Sequence, residues 1–234
     1  MERVYYRYIF RLKSPLALGS GISDNTDSDV LLDSRGVPYI PATSIAGVIR
    51  HSVDEDTARE LFGTIQNGSG EMSKVLTYDA VCTGENAVSV RDSVRLNNKV
   101  AEDTGKFDFE AVETGAEFRG YIELADCGAD GDSVINEAFQ KINAGLLRFG
   151  HKTTRGYGTV AVEGLQRIGF SDADDWLDFD MFDDECWKNA QAVELTKPSD
   201  LTGITLSLKQ RGGISIRRYS TDVSDGENAA PDYE

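Results

Sequence analysis

The chain has 234 residues, 40% of them hydrophobic and 27% charged, with a formal charge of −16. That length buries a core in one large domain or two small ones, and the surplus of acid argues against a general nucleic-acid binder. No apolar run approaches membrane-spanning length and no charged, then apolar leader opens the chain, so a cytoplasmic protein with no membrane partner is expected.

The charge is unevenly spread. Residues 1–170 carry 18 Lys+Arg against 25 Asp+Glu, and residues 171–234 carry 6 against 15. The densest run, Asp172 to Glu185, mixes eight acids with Trp176, Leu177, Phe179, Met181 and Phe182. Such a segment repels phosphates; it suits a protein neighbour or a solvated amphipathic helix. Cys82, Cys127 and Cys186 stand far apart with no Cys-x-x-Cys, so neither a disulfide framework nor a zinc site is indicated and reduced thiols are expected.

In chain order, Val4 to Lys13 alternates Tyr6, Tyr8, Phe10 and Leu12 with Arg7, Ile9, Arg11 and Lys13, predicting a strand with one apolar and one mainly basic face. A polar loop, Ser14 to Ser28, leads to a short strand at Val30-Leu31-Leu32 and a turn at Ser34-Arg35-Gly36. Helical patterns follow near 43–52 and 55–62, then strands near 74–81 and 87–95. Residues 96–116 are polar and read as a short excursion from the core. A strand near 117–124 precedes the clearest helix, 132–149, with Ile135, Phe139, Ile142 and Leu146 on one side; Thr159 to Ile168 returns as a strand. This order predicts an α+β fold: a split βαβ, ferredoxin-like or RNA-recognition-motif core with insertions and an acidic C-terminal extension. The expected units are a domain at 1–170, a mostly helical acidic extension at 171–202, and 203–234 as a tail or the start of an incomplete second unit. The last reading rests on a faint match between Phe10–Leu18 and Leu206–Ile216. It makes the chain a candidate first half of a tandem protein.

Two stretches carry chemistry. In Pro38-Tyr39-Ile40-Pro41-Ala42-Thr43-Ser44-Ile45-Ala46-Gly47-Val48-Ile49-Arg50, Pro41 fixes a rigid helix entry that Thr43 or Ser44 can cap. In Gly150-His151-Lys152-Thr153-Thr154-Arg155-Gly156-Tyr157-Gly158, amides, two hydroxyls and two cations together suit a chain of phosphates.

These segments resemble, in order, those of the RAMP superfamily (repeat-associated mysterious proteins) of CRISPR systems, and within it the backbone subunits of type III effector complexes. Ile40 to Arg50 is similar to the family's I-P-G-S-S-L-K-G-x-x-R. Leu61-Phe62-Gly63, Ser73-Lys74-Val75 and Asp79-Ala80 resemble its L-F-G … D-A block, and Val90 to Val94 its R-x-x-V strand. Phe107 to Val112 with Gly115 to Phe118 resembles E-x-V-x-x-G-x-x-F, and Gly150 to Gly158 the G-x-x-x-x-R-G-Y-G signature. The likeness spans about residues 1–168.

The resemblance implies an antiviral RNA-binding subunit whose partners are guide RNA, target RNA and other RAMP effector subunits, with no DNA contact for this chain. It carries Thr43, Ser44 and Arg50 over to guide-backbone positions, together with Arg91, Lys152, Thr153, Thr154 and Arg155. The family's helix lysine is Ala46 here, which removes one phosphate contact. The 96–116 excursion corresponds to a thumb-like hairpin. In some members a loop aspartate cleaves target RNA with a divalent metal. Val30-Leu31-Leu32-Asp33 sets that frame and makes Asp27 the catalytic and metal-holding candidate, with Mg2+ or another divalent ion as cofactor. Other readings stay open. They are a non-catalytic scaffold subunit, a metal-independent guide-processing endoribonuclease using His51 or His151, and an acidic protein-interaction module.

Overall fold

A computed structural model describes residues 2–21, 24–66, 69–97, 100–198, 205–207, 209, 211–212, 217–218 and 232–233. The repeat-like stretch near the C-terminus falls largely outside the described residues.

The first strand, β1 (Arg3–Leu12), follows its alternation: Tyr6, Tyr8, Phe10 and Leu12 are fully buried while Arg7, Ile9 and Arg11 face the other way. Val30-Leu31-Leu32 forms only isolated bridges, Gly19 with Val30 and Leu32 with Pro38, rather than a strand. Next come β2 (Tyr39–Ile40), α1 (Ala42–His51), α2 (Glu55–Phe62) and a small hairpin of β3 (Thr64–Gln66) and β4 (Ser69–Glu71). The strand expected over 74–81 is split into β5 (Val75–Thr77) and β6 (Ala80–Cys82). The break falls at Asp79, whose carboxylate leaves the sheet to accept the Ala42 amide at 2.7 Å, while Thr77 donates its hydroxyl to the Ala42 carbonyl at 2.8 Å.

The excursion is longer than its polarity suggested: β7 (Val88–Asn97) and β8 (Val100–Val112) form an extended antiparallel hairpin. Its base is anchored through a Leu16–Val112 bridge and by Phe109 and Ala111, buried against Ala17. Then follow β9 (Glu117–Ala125), α3 (Gly128–Asn143) and β10 (Val160–Phe170). Helix α3 ends at Asn143, within one turn of Leu146, the last residue of its apolar period. Ala144 is its C-cap, the Leu146 and Leu147 amides fold back onto the Lys141 carbonyl, and Leu146 is left 53% exposed.

Among the described residues the main sheet has seven strands. Its order is β11 (Gln191–Ala192), β10, β1, β9, β6, β2, with β5 also paired to β9, and the pairs are antiparallel. The fold is therefore α+β. The core fills the inner sheet face, where Tyr6, Tyr8, Phe10, Phe118 and Ile122 meet Ile45 and Ile49 of α1 and Ile135, Phe139 and Ile142 of α3. Asp132 of α3 takes the Tyr6 hydroxyl at 2.5 Å and Arg167 Nη2 at 2.6 Å, tying helix to β1 and β10.

The outer face of the sheet, which includes the mainly basic side of β1, is covered. After α4 (Ala173–Leu177) the acidic segment crosses it as a strap: Trp176, Phe179, Met181 and Trp187 pack on Tyr5, Tyr121, Ile168 and Phe170. Arg11 is neutralised by Glu117 and Glu163, Arg3 by Glu123, and Arg7 and Arg119 by Asp184 of the strap. The aromatic residues outweigh the acids there because the sheet offers both rings to pack on and cations to pair with. Among the described residues Cys82, Cys127 and Cys186 are free thiols, and no helix is long and apolar enough to cross a membrane.

Candidate nucleic-acid interface

The start of α1 and the glycine loop between α3 and β10 meet across an open groove of about 800 Å3. One wall is α1, contributing Ser44, Gly47, Val48 and His51; the other is the chain from Gly145 to Thr154. Leu18, Gly19, Leu31 and Pro41 complete its lining.

Pro41 sets the α1 entry with extended dihedrals, and its carbonyl takes the Ser44 and Ile45 amides. Neither Thr43 nor Ser44 caps the helix; both lie inside it, and the anionic cap is Asp79. The helix start is thus already compensated by a carboxylate. Ser44 reaches the groove, whereas Thr43 is exposed outside the lining. Arg50 is one turn on, bonding the Gly63 carbonyl at 3.1 Å, in an adjoining depression that shares Gly47 and His51 with the groove.

The glycine loop is more self-satisfied than its sequence implied. His151 donates its amide to Ala17, Gly158 to Pro15, Arg155 to Lys152 and Gly156 to Thr153, so those amides are spent internally. Gly158 is required where it stands: φ is +76°, and a Cβ there would fall 1.8 Å from the Phe149 carbonyl oxygen. Thr153 and Thr154 line the groove, but the loop cations turn toward the hairpin. Lys152 holds its ammonium 4.0 Å from the Phe109 ring centre and 4.7 Å from that of Phe107. Burial, helped by the neighbouring Arg155 charge, pushes its pKa down. Arg155 reaches the Ser93 hydroxyl at 3.5 Å, and Tyr157 meets Phe109 edge-on. Arg91 lies in the hairpin stem, paired with Glu113 and bonded to Ser89.

Of the residues singled out from sequence, then, Ser44, Thr153 and Thr154 line one groove. Lys152 and Arg155 join loop to hairpin, Arg50 adjoins, and Thr43 and Arg91 lie outside the lining. The groove adds His51 and His151, named from sequence for a metal-independent endoribonuclease reading, and Arg148, which the sequence reading missed. Arg148 bonds the Gly145 and Thr153 carbonyls at 3.3 and 2.7 Å. Its signal was a cation two residues ahead of the first loop glycine.

Asp27 sits in an exposed loop against β8. Its amide donates to Asp108 Oδ1 at 2.9 Å and the Asp108 amide donates to Asp27 Oδ2 at 3.0 Å. The loop's shape comes from buried Asp29. Its carboxylate takes the amides of Asn25, Thr26 and Asp24 and the Thr26 hydroxyl, which hold its pKa down at about 2. Next to Asp27, the Ser28 hydroxyl lies 2.8 Å from where a Gly19 Cβ would stand, with His151 on the same side, so the loop borders the groove. Among the described residues no three metal-ligating side chains cluster. Asp27 and Asp108 each keep one carboxylate oxygen outside the reciprocal pair, a sparse hard-oxygen donor set. Magnesium commonly takes that many protein ligands when waters and a phosphate supply the rest. Asp108 was not singled out from sequence, although its alternation with Phe107 and Phe109 places it on the opposite side of β8 from the rings.

The family model for the RAMP superfamily matches residues 9–161. No curated protein sequence matches the chain. The cryo-EM structure of the Type III-B Cmr-beta bound to cognate target RNA contains a chain that is similar over 71% of this one. Their TM-score is 0.56 and their identity 19%. This chain spans 61% of that relative's length. A chain of the Type III-B Cmr-beta structure in the apo state is similar over 68% of this one and 96% of its own length, with TM-score 0.54 and 13% identity.

Proposed function

The chain belongs to the RAMP superfamily, and from that premise we propose that it is a subunit of a type III CRISPR RNA-guided effector that lays guide RNA in the groove between α1 and the glycine loop. We read β1, α1, β5/β6, β9, α3 and β10, with sheet order β10-β1-β9-β5/β6, as a ferredoxin-like core carrying the β7–β8 hairpin as its main insertion. The observation that carries the reading is the groove itself, because two motifs about a hundred residues apart form its two walls. Ser44, Thr153 and Thr154 offer hydroxyls to phosphate oxygens, and Arg148, His51 and His151 line the same space. Arg50 extends the track past the α1 C-terminus, and Lys152 and Arg155 fix the loop to the hairpin rather than serving as free phosphate ligands. Arg91 acts in this reading by bracing the hairpin stem, and Thr43 contacts RNA from outside the groove.

Asp27 is the proposed cleavage residue, with Asp108 beside it. A divalent ion held there would supply charge neutralisation at the scissile phosphate. Asp27 and Asp108 would hold it through their remaining oxygens, while the Asp29-centred turn fixes the loop that presents Asp27. The test is an effector assembled with this subunit, guide RNA, matching target RNA and magnesium. The Asp27→Ala complex is expected to retain guide and lose cleavage; undiminished cutting would remove Asp27 from the mechanism.

A non-catalytic scaffold role is the second reading, favoured by the reciprocal amide bonds that already engage one oxygen of each aspartate. It predicts guide retention without cutting in any metal. Cutting that persists in chelator would instead point to His51 or His151.

A further inference from the structure

Beneath the strap the outer sheet face carries Arg7 and Arg119 among Tyr5, Tyr78 and Tyr121. Arg7 is in register with Tyr121, and Arg119 with Ile9 on the neighbouring strand. Guanidinium groups for phosphates interleaved with flat rings for bases are the chemistry that grips single-stranded nucleic acid. The strap answers that face group by group. The Asp184 carboxylate takes both Arg7 Nη1 at 2.5 Å and Arg119 Nη1 at 3.3 Å, as a phosphate would. Trp187 lies 4.9 Å from the Arg7 guanidinium and 6.1 Å from the Tyr121 ring. Phe179 tilts onto Tyr5 at 4.8 Å, and Phe182 meets Tyr121 edge-on at 5.3 Å.

The strap is held mainly by these side chains. Among the described residues its backbone joins the sheet only past its end, where Gln191–Ala192 pair with Gln166 and Arg167. Asp184 itself stays 66% exposed. Six further aspartates, Asp172, Asp174, Asp175, Asp178, Asp180 and Asp183, precede it, so the segment carries a net charge of phosphate-like sign.

We propose that the sheet face under residues 172–187 is a second single-stranded RNA surface, separate from the groove, and that the strap fills it in cis as an acidic, aromatic substitute for RNA. No groove-lining residue belongs to this face. Closed, it leaves the groove as the open RNA track and keeps stray RNA off the sheet. Displaced, it exposes two guanidinium groups and three tyrosines.

Both tryptophans of the chain, Trp176 and Trp187, lie in the strap, so tryptophan emission reports on that segment alone. The experiment uses the full chain in an Arg148→Glu background, which suppresses the groove, and a labelled oligouridylate. Asp184→Arg turns the attraction to Arg7 and Arg119 into repulsion. The expected result is red-shifted tryptophan emission and oligouridylate binding about tenfold tighter than the background. Asp183→Arg makes the same change in net charge, but among the described residues the Asp183 side chain accepts only the Glu185 amide, within the strap. It is expected to leave both readings at background. Equal affinity of the Asp184→Arg chain and its background, or an equal gain from Asp183→Arg, overturns the proposal.

Discussion

Two glycines of the Arg155-Gly156-Tyr157-Gly158 run look interchangeable in sequence, and the structure predicts that they are not. Both have left-handed backbones, with φ of +91° at Gly156 and +76° at Gly158. A Cβ at Gly156 meets nothing within 4 Å, whereas one at Gly158 falls 1.8 Å from the Phe149 carbonyl oxygen and 2.8 Å from its carbon. The chain cannot back away freely, because Phe149 donates to Gly158 and Gly158 to Pro15, both at 2.9 Å. Gly156→Ala therefore carries only the left-handed penalty, about 1–2 kcal/mol. Gly158→Ala adds an overpacking cost of about 1–3 kcal/mol, and with the hydrogen bonds strained the total is about 3–5 kcal/mol. At roughly 2–4 °C per kcal/mol for a chain of this size, the melting temperature should fall by about 2–8 °C in the first variant and about 6–20 °C in the second. Thermal unfolding followed by circular dichroism measures both. Equal losses, or a smaller loss at Gly158, would refute the claim that close backbone approach fixes this loop.

Other outcomes follow from single contacts. The folded-state pKa of Asp29 is depressed to about 2 from 3.8, so its stabilisation is fully present at neutral pH and is lost as pH falls from about 4 toward 2. Asp29→Asn should flatten the acid limb of a melting-temperature profile over that window, and an unchanged limb would contradict the assignment. The Tyr8 hydroxyl is fully buried with no hydrogen-bond partner among the described residues. Tyr8→Phe should therefore stabilise the protein by about 1 kcal/mol in chemical denaturation, with the slope unchanged. If RNA follows the groove, Arg148→Ala should weaken guide binding and lower the slope of log affinity against log salt by about 0.7, as one lost phosphate contact does.

Strong periodicity explains what was legible. The alternation of Tyr6, Tyr8, Phe10 and Leu12 located β1 within a residue, and Ile135, Phe139 and Ile142 located the buried side of α3. Leu146 continues that spacing but lies past the helix end, because the folded-back amides after Asn143 outweigh one more apolar contact. The hairpin was underread because its inward-packed apolar residues, half-buried Phe107 and buried Phe109 and Ala111, alternate with charged Lys106, Asp108 and Glu110, which dominate the composition of the segment. The strap was hidden the same way, its rings diluted by eight acids, of which Asp184 finds its partner cations, Arg7 and Arg119, far away in sequence. At the groove, sequence order pointed to both walls but not to which side chains turn inward. Lys152 and Arg155 go to the hairpin because aromatic rings and a hydroxyl wait there, leaving the uncharged threonines at the groove.

The Asp79 carboxylate at the first turn of α1 has a further effect. A helix opening that already carries a fixed negative group is a poor seat for another, so a ribose–phosphate chain laid along the proposed track would be steered toward the threonine hydroxyls across the channel. In that reading, contacts of that neutral kind release few ions when they form, so the grip of one such unit would be gentle and firmness would come from many units acting along one strand.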